Sequence, residues 1–132
     1  MEIPRGNSWE EIKTRKQIIK DFYAKWISNH PQKMIWNDEL KDYIHVKFQS
    51  INETVGRASG SYESTLAVLL LSDVLSKAKL NAVKARKQED KNQKSFEKIL
   101  VMRFGSIKLT VGKQRSTGEY VQYCITQTGA KK

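Results

Sequence analysis

The sequence predicts an α+β domain, with N-terminal helices packed on one face of a C-terminal antiparallel sheet, a meander of three to four strands. Three observations carry this. An amphipathic helix is signposted near the start, strand-like alternation fills residues 96–126, and a polar, basic stretch separates the two halves. By size the 132 residues make a single domain, 1–132, long enough to bury a core without disulfide or metal staples.

The first helix begins at a capping box, Ser8 with Glu11. Trp9, Ile12, Ile19, Phe22, Tyr23, Trp26 and Ile27 follow at three- and four-residue spacings as one apolar stripe. Pro31 disfavours helix in the residue before it, so the helix ends at Asn29-His30. Lys13, Arg15, Lys16, Lys20 and Lys25 are assigned to the opposite, solvated face.

A short strand over Lys33 to Trp36 and a polar turn come next. Residues 43–48 alternate, which points Ile44, Val46 and Phe48 to the core and Tyr43, His45 and Lys47 outward. Ser50 to Ala58 suits a short helix, and Ser59-Gly60-Ser61 is a break. The segment STLAVLLLSDVLSKAKL fits either one buried helix or a buried strand, AVLLL, followed by a helix from Ser72; the second reading is preferred slightly.

Lys77 to Lys98 holds eight cations against three acids, a net +5 of the chain's +10. Its centre has little to bury, so a mobile basic loop is expected over about 82–95. Strands are then expected over Phe96 to Phe104, Ile107 to Gly112 and Tyr120 to Thr126, with Val121, Tyr123 and Ile125 inward, and a flexible tail over about 128–132.

A +10 charge and a pI near 9.7 favour polyanionic partners through counterion release. Cys124 is the only cysteine, which rules out an internal disulfide and makes a reducing cytoplasm the expected setting. No apolar run is long enough for a membrane span, so no membrane is expected as partner. Asp38, Glu39, Asp42 and Glu53 lack metal-site spacing, and no glycine motif cradles a nucleotide phosphate; neither a metal nor a cofactor is expected.

The order of parts, with YIHVKF and ETVGRAS upstream of AVLLLSDVLSKAKL, FEKILVMRF and IKLTVGKQRSTGEYVQYCIT, resembles the small nuclease fold of barnase, EndoU, colicin-type tRNases and RelE-type toxins. Divergent copies of that fold occur in phages and mobile elements. The likeness spans roughly Tyr43 to Thr126 and rests on layout. It implies RNA as the nucleic acid, metal-independent cleavage by 2′-OH transphosphorylation, and room for an inhibitory protein partner.

On that reading His45 is the acid/base candidate, since an imidazole titrates near neutrality, and Lys47 shares its face. Arg57, Lys108, Lys113 and Arg115 would hold the phosphate. Thr110, Gln122 and Thr126 would orient it from the sheet floor. A non-catalytic nucleic-acid-binding module, or a protein-interaction domain with incidental charge, would use the same residues differently. For such modules Tyr43 and Tyr120 are the stacking candidates.

Overall fold

The computed structural model describes residues 2–84 and 95–127. Within them the fold is α+β. In chain order the elements are α1 (Trp9–Asn29), β1 (Met34–Asn37), β2 (Asp42–His45), α2 (Phe48–Ala58), α3 (Tyr62–Val68), α4 (Leu71–Lys77), β3 (Lys79–Lys84), β4 (Phe96–Phe104), β5 (Ile107–Gln114) and β6 (Tyr120–Gln127). The strands form one sheet in the order β1-β2-β6-β5-β4-β3. From β3 to β6 it is the expected antiparallel meander. The β1–β2 hairpin extends it by laying β2 parallel to β6, so the whole sheet is mixed.

The β2–β6 pairing is short, covering Ile44 opposite Tyr120 and His45 opposite Val121. Beyond it α2 and α3 pack against β6. The Ser64 hydroxyl accepts from the Gln127 amide at 2.9 Å, satisfying a donor at the end of β6. The main core lies between helices and sheet, with Ile19, Tyr23 and Trp26 of α1 in one cluster with Leu71 and Leu75 of α4 and Ile44, Leu100, Met102, Leu109, Val111 and Ile125 of the strands. A smaller cluster, Phe96, Ile99, Val121, Tyr123 and Cys124, lies on the other face.

Helix α1 starts as expected. The Ser8 hydroxyl accepts from the Glu11 amide at 3.2 Å, and the Glu11 carboxylate accepts from the Ser8 amide and from Gly6. Arg15, however, is wholly buried rather than solvated. It is four residues before Ile19, on the apolar stripe, and donates to the carbonyls of Ser59, Pro4 and Gly6. Trp9, by contrast, is exposed.

The segment AVLLL is helical, not a strand. The Ser61 hydroxyl caps α3 by accepting from the Ser64 amide at 3.1 Å, and a turn at Leu69-Leu70 leads into α4. Burial of Ala67, Val68, Leu71, Val74 and Leu75, with Leu66 and Leu70 more exposed, is the three- and four-residue rhythm that decides the segment.

Strand β2 stops at His45, and Phe48 opens α2 with its side chain 77% exposed rather than in the core. The Ser50 hydroxyl accepts from the Lys47 amide at 2.9 Å, which turns the chain into the helix before the alternation reaches Phe48. Residues 79–84 form the edge strand β3, so the expected basic loop does not include residues 82–84; residues 85–94 of that loop, and the tail 128–132, lie outside the described residues.

Candidate functional site

The strand registers define a sheet face turned away from the main core. Lys108 stands opposite Thr126, and Thr110 opposite Cys124, all half-buried or buried on that face. Between Thr110 and Val111 the pairing slips by one residue, because β6 bulges at Tyr123. The slip puts Val121, Tyr123 and Cys124 on the same side and sends Gln122 to the other.

Gln122 is therefore not part of the open floor. It is fully buried, accepts from the Tyr23 hydroxyl at 2.9 Å and donates to the Thr54 hydroxyl at 2.6 Å. Burial pushes the Tyr23 phenol far above its ordinary pKa, so it stays protonated as the donor of this relay. The same bulge corrects the expectation that Val121, Tyr123 and Ile125 share a side: only Ile125 joins the main core.

The remaining candidates divide into two groups. At one end, His45 Nε2 lies 3.7 Å from Glu119 Oε2, and Lys47 Nζ lies 2.7 Å from Glu119 Oε1 and 2.9 Å from Gln114 Oε1. The Thr117 hydroxyl donates to the same Gln114 and Glu119 oxygens. The Lys47 hydrogen bond above all, with the charges of His45 and Lys47, holds the Glu119 carboxyl below the usual carboxylate range. A shallow pocket beside this group is lined by Gln32, Lys33, His45, Lys47 and Phe48. Lys113 and Arg115 belong to this end: Lys113 sits over the Tyr120 ring at 5.6 Å and 4.0 Å from Glu97, and Arg115 donates to the Phe96 carbonyl at 3.3 Å.

At the other end, Arg57, Lys108, Thr110 and Thr126 gather around Cys124. Arg57 reaches over from α2, its guanidinium 5.4 Å from the Tyr123 ring and its Nε 3.2 Å from Glu53. Burial pushes the Cys124 thiol up, while Arg57, a hydrogen bond from Thr110, and Lys108 pull against it. His45 faces Val121 and Lys108 faces Thr126, five residues further along β6. At ~3.3 Å per residue, with the bulge, the two ends are roughly 15 Å apart. The candidates do not form one centre.

On the same face, Trp36 and Tyr43 stand opposite each other in β1 and β2, both exposed, with ring centroids 5.3 Å apart and edge to face. Arg103 stands directly opposite Lys108 on this face, whereas Lys98 and Lys113 stand opposite each other on the side of Tyr120, which packs against the main core. Like charges placed in register destabilise a sheet. Among the described residues no group of three or more His, Cys, Asp or Glu side chains sits together as metal ligands would.

Gln114 is legible in the sequence beside Lys113 and Arg115 in the polar turn, but Glu119 and Thr117 are not found from it, because they join His45 only through the parallel β2–β6 pairing. No spacing in the chain signals that pairing. The acidic Glu119 directly before a strand start was the one available hint.

With the geometry in view, comparison with known proteins adds one finding. Residues 14–120 match the family model of large polyvalent protein-associated domain 3. The chain belongs to that family. It is a domain associated with large polyvalent proteins of phages and mobile elements, the setting the layout suggested; membership carries no nuclease assignment. No curated protein and no solved structure matches the chain. Among the described residues of this family member, no helix is long and apolar enough to cross a membrane.

Proposed function

We propose that this domain binds single-stranded RNA along the sheet face turned away from the main core, at the exposed and half-buried side chains that rim its buried Phe96–Tyr123 cluster. The observation that carries the reading is the coexistence, on one face, of directly opposed cations, Arg103 and Lys108, with the exposed Trp36–Tyr43 pair. Cations attract a phosphate backbone regardless of sequence, and exposed rings offer stacking surfaces to unpaired bases. The +10 charge adds long-range attraction.

The test is fluorescence anisotropy with a labelled uridine oligonucleotide at low and moderate salt, in EDTA. Binding that weakens steeply with salt, with the RNA recovered intact, supports a binding module. Absence of any binding at low salt removes the reading and leaves a protein-interaction domain.

A second reading, metal-independent transphosphorylation, is favoured by the 3.7 Å approach of His45 to Glu119. His45 would move the proton of the 2′-OH or of the leaving 5′-oxygen, with Lys47 beside it stabilising the phosphorane. Lys47 is already engaged by Glu119 and Gln114, and Gln122 is buried away from this face, so fewer groups serve catalysis than binding. Products ending in 2′,3′-cyclic phosphate, absent with His45→Ala, would establish this second reading.

A further inference from the structure

We infer that the Arg57–Lys108–Thr110–Thr126 group is a separate anchoring subsite for one backbone phosphate of an RNA strand, about four nucleotides from the His45 end. The inference rests on the reading of the open face as an RNA surface and adds to it a second, distal grip and a minimum ligand length.

The placement follows from the sheet. Lys108 and Thr126 are cross-strand neighbours, Thr110 is the next position along β5 on the same face, and Arg57 enters from α2 above Tyr123. Two cations and two hydroxyls therefore border one stretch of floor. That combination suits a phosphodiester, whose oxygens accept from guanidinium, ammonium and hydroxyl donors together. Among the described residues no ion pair engages Lys108. Arg57 is steadied by Glu53 at its Nε and by the Tyr123 ring.

The distance gives the length. A span of roughly 15 Å along β6, at ~3.4 Å per stacked nucleotide, covers about four phosphates. A dinucleotide can occupy one end only, whereas a hexanucleotide reaches both. The second contact then acts at a high effective concentration, so affinity should rise as a step with length.

The experiment compares labelled uridine dinucleotide and hexanucleotide with the wild-type chain, Lys108→Gln and Lys47→Gln. The wild type is expected to hold the hexanucleotide at least about tenfold more tightly, the worth of one charge-assisted hydrogen bond. Lys108→Gln should lose that gain, whatever part of the dinucleotide's own binding it also removes. Lys47→Gln should keep the gain. A hexanucleotide gain that survives Lys108→Gln overturns the subsite while RNA binding itself stands. If neither oligonucleotide binds, the RNA reading fails, and pyrophosphate then decides the subsite alone. Saturable shifts of the Thr110 and Thr126 amide resonances that Lys108→Gln abolishes would retain it as an anion site; no shift would overturn it. Thr126→Val, which leaves every cation in place, provides a second variant expected to weaken the same step.

Discussion

Lys47 Nζ lies 2.7 Å from Glu119 Oε1, which fastens the N-cap of α2 to the start of β6 and brings His45 beside the same carboxylate. This one contact closes the end of the sheet where β2 and β6 run parallel. Its strength is limited, because both side chains are about a third exposed (38% and 34%).

The first prediction is a small, pH-dependent loss in Glu119→Gln. The Glu119 carboxyl is held below its ordinary range in the folded chain. The associated stability is therefore present above the unfolded pKa, near ~4.3, and disappears as pH falls through the folded value. Solvent screening keeps it under about 1 kcal/mol. Urea midpoints of wild type and Glu119→Gln should differ slightly at neutral pH and converge in acid. A gap that widened in acid would refute the pairing.

Gln122 should behave as a core residue and not as a ligand contact. Gln122→Leu keeps its bulk but removes the group that accepts from the Tyr23 hydroxyl and donates to the Thr54 hydroxyl, leaving the two hydroxyls only each other. Losing this buried partner costs about 1–3 kcal/mol. Denaturant unfolding would read this directly. RNA affinity per folded molecule should stay unchanged, and a selective loss of affinity at full stability would return Gln122 to the open face.

Gly112 is required by a close approach rather than by a turn. A Cβ there would lie 2.5 Å from the Phe96 ring, which packs over the strand. Gly112→Ala should destabilise by about 1–3 kcal/mol through overpacking. In a Phe96→Ala background, itself costly through the cavity it leaves, the added effect of Gly112→Ala should largely vanish. Additive losses in this double-mutant cycle would mean that the ring does not set the need for glycine.

How much of this was legible follows from the reach of each signal. Helix α1 and the strands β4, β5 and β6 were readable because caps, turns and alternation are local. The AVLLL segment misled because short apolar runs satisfy both periods, and only the Ser61 cap and the pattern of burial separate them. Arg15 looked solvated by residue type, although its spacing from Ile19 already put it on the buried stripe. At the site, Lys108, Thr110 and Thr126 followed from simple alternation. Gln122 did not, since one extra residue at Tyr123 inverts the assignments on its N-terminal side, Val121 and Gln122, while Ile125 and Thr126 keep theirs. The division into two ends was invisible because it depends on which strand lies beside β6, a long-range choice.

The last prediction uses Cys124, the single cysteine, as a reporter of the cationic group around it. Its thiol is pushed up by burial, and Arg57, the Thr110 hydrogen bond and Lys108 work in the opposite direction. Removing a cation removes part of that counterweight. Lys108→Gln should therefore raise the thiol pKa further above the ordinary ~8.5, and so slow alkylation at any pH below it. Arg57→Gln should move the profile the same way and further, since Arg57 is the stronger of the two cations. Lys47→Gln, at the other end of the sheet, should leave it where it is. The measurement is the rate of iodoacetamide labelling against pH, at low salt so that screening does not flatten the difference. Coincident profiles for wild type and Lys108→Gln would mean that the lysine does not reach the thiol. The grouping of Arg57, Lys108, Thr110 and Thr126 on one stretch of floor would then lose a member, and with it the distal phosphate grip.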